Sequence, residues 1–518
     1  MDAEAEQSAR EVMPLMPLVR VHENRTRRFS RAQAAVFAIS FSSYASMHLG
    51  RKAYSAIKPM LGEQHVFVST MPTDQIFGLM DASFLLLYSI GLFASGALAD
   101  RHDLRVVISV GLVLSGLFTS LFGLGGLLGV RSPVFYASVW SLNGLVQSSG
   151  WPANIALMGT WFVGARGAVF GAYQGCVSVG NIAGTLLVLA TLGARGDHGG
   201  GWAVAMLVAG TIMLVQGVVV RIWLPRGSPP HAVEQVEEPR DERGSLEELG
   251  GRDELSAELG APSDAPHPSG AGAQMGPVGA GGGDGMDGPK GGGGKRAVSF
   301  VHALRLPGVL PYSLCYACLK GVDYAFFFWV PRYLQSAANL SSAHADWVSM
   351  LYDVGQMCGS VVAGAATDGS SSRAPVTVGM LLASAPVIWL TPGHGYVGTL
   401  CMLFVLGLVL GGPVNLVSGC IAADLGQHPK LRGKEKALAT VTGIIDGCGS
   451  FGAALAQYVV GVLAPRGECG KAGCDWSRVF AFLIVTDLIA AACLAPVLRP
   501  IVRDRFRSSG SSAVAKAS

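Results

Sequence analysis

The sequence predicts an all-α integral membrane protein with about twelve transmembrane helices in two pseudo-symmetric six-helix bundles. Three observations carry this reading. Half of the 518 residues are hydrophobic and only 14% are charged, with a mean hydropathy of +0.43. The apolar residues gather in runs of about twenty, each long enough to cross a hydrocarbon core. Those runs also form two related sets. GALADRHDLRVVISVGLVLS from Gly96 and GAATDGSSSRAPVTVGMLLA from Gly364 align at a constant offset of 268, which pairs Asp100 with Asp368, Arg105 with Arg373 and Gly111 with Gly379.

Residues 1–32 are polar and open MDAEAEQ, with no apolar core ahead of a cleavage site. They read as a cytosolic tail, and insertion is expected to begin with the first helix. Apolar windows then place six helices near 33–59, 76–99, 106–128, 133–161, 168–193 and 202–224, an N-terminal bundle over 33–224. The segment 225–300 is acidic in HAVEQVEEPRDERGSLEELG and glycine-rich in GAGGGDGMDGPKGGGGKR. It buries too little apolar surface to fold and reads as a disordered cytosolic linker. Its GGGGKR is no phosphate loop, because Pro289 stands where the first glycine is needed and Arg296 where a metal-binding Ser or Thr belongs. Six further helices near 307–334, 347–367, 374–391, 397–423, 435–464 and 477–498 make a C-terminal bundle over 301–499, and 500–518 form a second cytosolic tail.

Basic residues orient the chain. RTRRFSR, Arg101, Arg105, Arg166, Arg373, KLRGKEK and RDRFR all fall on one side, which the positive-inside rule makes cytosolic. Both termini and the linker are then cytosolic, and the Asn339 sequon and the Cys469 and Cys474 pair of GECGKAGCDW lie opposite, where glycosylation and oxidation operate. The eight other cysteines sit in apolar runs and read as small buried hydrophobes. A net charge of +3 argues against a polyanionic partner such as nucleic acid. No metal-ligand cluster or nucleophile, base and orienting group can be assembled from the spacing, so no cofactor and no enzymatic activity are expected. Two six-helix halves in parallel repeat, joined by a cytosolic linker, are the architecture of the major facilitator fold.

Against this apolar background the stretch MHLGRKAYSAIK stands out, because it places Arg51 and Lys52 deep in the first helix. The repeat offset carries Lys52 onto Lys320 in the seventh helix. Equivalent positions of the first and seventh helices face each other across the central cavity near mid-depth. A cation there costs at least about 2.5 kcal/mol on insertion scales, and such groups mark substrate or ion paths. Two cations converging on one cavity call for a mobile anion, and a phosphate accepts bidentate bonds from a guanidinium and another from an ammonium. Arg51 shares its helix face with Tyr44, His48 and Ser55, while Lys52 lies about 100° round. Arg51 is therefore assigned to the ligand and Lys52 to an internal ion pair. Asp353 and Asp323 are the preferred partners, with Asp323 also placed to neutralise Lys320; Asp81 and Asp446 rank below them. Tyr316 and Tyr324, one turn either side of Lys320, together with Tyr88, Trp151 and His48, are candidates to shape the pocket around a polar organic anion.

The runs YASMHLGRKAYSAIK, NGLVQSSGWP, ACLKGVDYAFFFWVPRYL, LYDVG, GGPVNLVSGCIAADLG and KALATVTGIIDGCGSFGAALAQY resemble the sugar-phosphate exchangers of solute carrier family 37, among the organophosphate:phosphate antiporters. The resemblance spans both halves and omits the tails and linker. It implies that Arg51 and Lys320 contact the phosphate, with Tyr44, Tyr88 and Trp151 around the substrate, and that Lys52 pairs with Asp353. The loop carrying Gly96, Asp100, Arg101 and Arg105 resembles the superfamily's cytosolic signature, which implies a gating role for these residues and for Asp368 in the repeat. The chain departs from bacterial members at Leu92, where they carry a lysine, and in YQGCVSVGN, which lacks their histidine. The implied function is exchange of a phosphorylated sugar or glycerol phosphate for inorganic phosphate by alternating access. The expected setting is a monomer in membrane lipid, in the endoplasmic reticulum or plasma membrane. Two other readings stand beside it: proton-coupled transport of another organic anion through Asp81, Asp353 or His48, and a non-transporting sensor or scaffold.

Overall fold

A computed structural model describes residues 30–162, 166–195, 200–226, 296–297, 299–367, 372–426, 435–436, 438–465, 474–501 and 503. Among them the first half comprises α1 (Arg31–Glu63), α2 (Thr73–Arg101), α3 (Leu104–Leu127), α4 (Pro133–Gln147), α5 (Gly150–Trp161), α6 (Arg166–Arg195) and α7 (Gly201–Trp223). The second half opens with a two-residue strand β1 (Arg296–Ala297) and a short α8 (Phe300–Leu304). It continues through α9 (Val309–Ala337), α10 (Ser342–Thr367), α11 (Ala374–Leu390), α12 (Tyr396–Asn415), a π-helical stretch (Leu416–Ile421), α13 (Ala422–Leu425), β2 (Glu435–Lys436), α14 (Leu438–Leu463) and α15 (Ser477–Cys493). β1 pairs in parallel with β2 immediately ahead of α14.

The fourth span is broken at Ser148 and Ser149, so α4 and α5 are two pieces of one crossing. Pro152 lacks the N–H that would bond back to Ser148, which interrupts the ladder there. The tenth span, α12 to α13, keeps its direction but widens into the π stretch just after Pro413, a local change that re-aims side chains and is common at functional sites. Among the described residues, by length and composition alone six helices suffice to cross a membrane, or seven if the bent pair Ser477–Cys493 and Ala495–Ile501 counts as one. The long helices that miss this test, α1, α9 and α10, each carry at least two buried charged residues: Arg51, Lys52 and Lys58; Lys320 and Asp323; Asp346 and Asp353.

The halves meet through α2 lying along α14 and α6 lying along α10, with α1 against α9 between them. Close approach of α2 and α14 depends on glycine: a Cβ on Gly78 would sit 2.9 Å from the Gly461 Cα, and one on Gly96 would sit 2.7 Å from the Ala439 carbonyl oxygen. Contacts cross between the halves toward both faces. At the face where α1 begins, the Thr440 amide and hydroxyl both donate to Asp100, at 3.0 and 2.7 Å. At the opposite face Arg332 forms a two-pronged bond with Asp74, at 2.9 and 3.2 Å, and Glu63 accepts from Gln335 and Ser342.

Candidate functional site

A small cavity lies between the halves, lined from one side by Tyr44, His48, Trp151 and Gln174 and from the other by Tyr316, Lys320, Asp323, Tyr324, Asn415 and Asp446. The broken helices build its walls. Trp151, on the first turn of α5, reaches across and donates from Nε1 to the Ser418 carbonyl in the π stretch, at 3.3 Å. Gln174 similarly donates to the Asn415 carbonyl at 3.0 Å. Tyr44 packs between His48 and Trp151 with tilted rings, centroids 4.9 and 4.7 Å away.

Arg51 lies one layer behind this lining and is fully buried. Its Nη1 donates to the Tyr324 hydroxyl at 3.2 Å, and its Nε donates to Gln147. Its Nη2 has no hydrogen-bond partner among the described residues. The guanidinium sits 4.4 Å from the centroid of the Tyr88 ring, which holds a cation without neutralising it. Gln147 is itself fixed, donating to Ser115 at 2.9 Å, which donates to Asn143 at 2.7 Å. Among the described residues no carboxylate pairs with Arg51. A buried guanidinium held by neutral acceptors and aromatic faces keeps its full charge for an incoming anion.

Lys320 does line the cavity, but its charge is partnered. Nζ lies 2.5 Å from Asp446 Oδ1 on α14 and donates to Ser450 at 2.8 Å. This corrects the expectation that Asp323 neutralises it. Asp323, though one turn along the same helix, is turned toward α10, where Tyr352 donates to it at 2.6 Å and Gln356 also donates. Lys320 and Arg51 share aromatic faces: Lys320 Nζ is 5.4 Å from the Tyr88 centroid and 5.1 Å from the Tyr324 centroid. The two cationic centres are therefore at most about 10 Å apart, since both lie on Tyr88, at 4.4 and 5.4 Å. Tyr316 completes this wall, its ring centroid 5.5 Å from Lys320 Nζ.

Lys52 turns the other way, to Asp353 on α10 at 3.1 Å, with both side chains almost wholly buried. Asn181 on α6 donates to the same carboxylate at 2.8 Å and meets His48 Nδ1 at 3.1 Å. A chain of four polar side chains thus links the cavity wall to an ion pair that spans the halves. Lys58, which the sequence reading did not single out, is fully buried against Asp81 at 2.5 Å and is boxed by the rings of Tyr54, Phe328 and Trp329. It lies seven residues beyond Arg51 on the same helix face, so the spacing that selected Tyr44 and Ser55 also pointed to it.

The loop after α2 is arranged differently from a cluster of Asp100, Arg101 and Arg105. Asp100 bonds α14, Arg101 is exposed and makes no ion pair among the described residues, and Arg105 pairs with Asp103 at 3.0 Å. Asp103 caps the first turn of α3, and Arg105, through its side chain and backbone N–H, holds the Asp103 carboxyl below the usual carboxylate range. Arg373 pairs with Asp424 at 3.1 Å. Asp368 and Cys469 lie outside the described residues; Cys474 is disulfide-bonded.

Comparison with known proteins fits this geometry. The family model described as Major Facilitator Superfamily matches residues 40–457. The chain is 34% identical over 508 residues to sugar phosphate exchanger 3 of Mus musculus, covering 92% of this chain and 94% of the other. It is 33% identical over 500 residues to a glucose-6-phosphate exchanger of Danio rerio, covering 90% and 92%. Among solved structures, a bacterial homologue of the human lysosomal transporter Spinster, inward-facing and unoccupied, superposes with a TM-score of 0.58 at 14% identity, covering 90% of this chain and 97% of that one.

Proposed function

Since the chain belongs to the Major Facilitator Superfamily, and within it to the sugar phosphate exchangers of solute carrier family 37, we propose that it exchanges a phosphorylated sugar or glycerol phosphate for inorganic phosphate across the central cavity. The observation that carries this reading is Arg51: a fully buried guanidinium with one nitrogen unpaired, no carboxylate partner among the described residues, and a position directly behind the cavity wall. Such a group is stabilised by an anion that arrives and leaves.

In this mechanism the phosphate takes two of the Arg51 nitrogens, displacing the Tyr324 hydroxyl, and draws Lys320 away from Asp446. Asp446 is then a resident stand-in for the substrate, holding the ammonium while the site is empty. Tyr44, His48, Tyr88, Trp151, Tyr316 and Tyr324 supply hydroxyls, an imidazole and ring faces to the organic part. The loaded site neutralises the charge at the interface of the halves, so rocking of one half against the other is favoured when phosphate is bound, and exchange follows from that preference. The Lys52 and Asp353 pair keeps the halves in register, Asp323 ties α9 to α10 within the second half, and Asp100, Arg101, Arg105 and Asp368 belong to the gate at the α1 starting face.

The positive-inside pattern makes that face cytosolic, with the tails 1–32 and 500–518 and the linker 225–300 on it. The setting is a monomer in the endoplasmic reticulum or plasma membrane. The test is reconstitution: labelled phosphate enters vesicles preloaded with phosphate, glucose 6-phosphate or glycerol 3-phosphate, and not empty ones. Equal entry into empty vesicles refutes exchange.

A further inference from the structure

The α6 and α10 seam holds a carboxylate that the exchange mechanism leaves unused. Asp346, on the second turn of α10, is fully buried, and among the described residues neither of its oxygens has a hydrogen-bond partner. It heads a buried polar stripe along one face of α10, Asp346, Ser349, Asp353, Gln356 and Ser360, at alternating spacings of three and four. Asp353 stands roughly 10 Å further along the helix, seven residues at about 1.5 Å each. Facing the stripe, α6 carries Gln174, Ser178, Asn181 and Thr185, all buried, and the Thr185 hydroxyl also lacks a partner. The two helices run antiparallel and Asn181 meets Asp353, so Thr185 lies on the Asp346 side of that contact.

Among the described residues, the groups around Asp346 do not offset an ionised carboxylate. From α1, Lys52 is the cation whose charge acts on it, and Lys52 is already paired with Asp353. Also from α1, His48 bonds Asn181, Lys58 is held by Asp81, and Glu63 accepts from Gln335 and Ser342. From α9, Lys320 is held by Asp446, Asp323 by Tyr352 and Gln356, and Arg332 by Asp74. α11 and α12 contain no charged residue, and among the described side chains of α6 none is charged. An ionised carboxylate without a hydrogen bond, sealed from water, is far less stable than its protonated form.

Resting on the exchanger reading above, we propose that Asp346 is a proton-binding site, loaded as the transporter closes at the face opposite the start of α1 and emptied when that face reopens. When the halves part at that face, the α6 and α10 seam admits water, and the carboxylate ionises. Closing the seam again requires the proton back, so closure from that face is proton-linked. Asp346 lies near that face and beyond the Lys52 and Asp353 pair, so the proton returns to the side from which it came. Exchange therefore depends on the pH of one face without carrying a net proton across.

The test uses full-length protein in oriented vesicles, with phosphate homoexchange as the readout. Varying pH at the face opposite α1's start, with the other face clamped, slows wild-type exchange as pH rises, by up to about tenfold per unit above the midpoint for one required proton. Varying pH at the α1 starting face gives only the change due to phosphate's own titration, which is common to both faces. Asp346→Asn, which mimics the protonated acid, removes the extra dependence at the sensitive face, and Asp346→Glu retains it. Equal pH dependence at the two faces of the wild type, or an Asp346→Asn to wild-type ratio that is constant with pH, overturns the proposal. Absence of phosphate exchange by the wild type at every pH would instead overturn the exchanger reading.

Discussion

Replacing Asp446 with asparagine isolates the competition between resident carboxylate and substrate. Asparagine keeps an acceptor oxygen and the volume, so Lys320 retains bonds to residue 446 and to Ser450, at 2.5 and 2.8 Å in the parent. What is lost is charge. For charge centres about 4 Å apart at an effective dielectric of about 20, that attraction is about 4 kcal/mol, an upper bound on the change. The empty protein loses it, whereas the phosphate-bound form, in which Lys320 has moved to the ligand, does not. If relaxation leaves about a third, phosphate binds about tenfold more tightly, chiefly through slower release. Equilibrium binding of labelled phosphate should therefore tighten while exchange turnover falls. The variant should also unfold at a lower temperature without ligand and show a larger phosphate-induced rise than wild type. Unchanged or weaker binding, with a ligand-induced rise no greater than wild type, would refute the stand-in role of Asp446.

Two further outcomes follow from the same geometry. Lys58→Met leaves Asp81 buried without its cation and should destabilise the protein by about 3–5 kcal/mol, whereas the double variant Lys58→Met with Asp81→Leu recovers most of that loss; thermal unfolding in detergent measures both. Thr440→Val removes one of the two hydrogen bonds that Thr440 donates to Asp100, worth roughly 1.5–3 kcal/mol as a bond to a charged group. It should raise labelling of a cysteine placed at Ser418 by an impermeant thiol reagent from the α1 starting face severalfold, and unchanged labelling would show that this contact does not hold that face closed.

Much of this molecule could be read from periodicity alone, and the reason is physical. Spans must satisfy their backbone internally in lipid, so they announce themselves as apolar runs, and a buried charge interrupts such a run visibly. Arg51, Lys52 and Lys320 were legible on that ground. The break in the fourth span was legible too, because Gly144, Gly150 and Pro152 loosen and then interrupt a helix. Pairing between helices was harder. Spacing puts Asp323 near Lys320 along one helix, but the rotation of α9 aims it at Tyr352 on α10, while Asp446 comes from α14. That rotation is set by how the halves pack, and no single-helix pattern reports it. Gln147 and Asn181 were passed over because amides interrupt an apolar run less sharply than charges, although each lies on a helical stripe with other polar residues, Asn143 and Asn154 for the first and Gln174 and Thr185 for the second.

The central claim is that a mid-membrane guanidinium at position 51 is the substrate's counter-charge. Phosphate exchange by Arg51→Gln in phosphate-loaded vesicles tests it most directly, because glutamine keeps a polar, hydrogen-bonding side chain while removing the charge and the guanidinium fork. With Gln147, Tyr88 and Tyr324 intact, the account predicts loss of at least about 1.5–3 kcal/mol of phosphate binding, the value of one charge-assisted bond, and exchange at least tenfold slower in a protein that still folds. Exchange at the wild-type rate and affinity by that variant would contradict it.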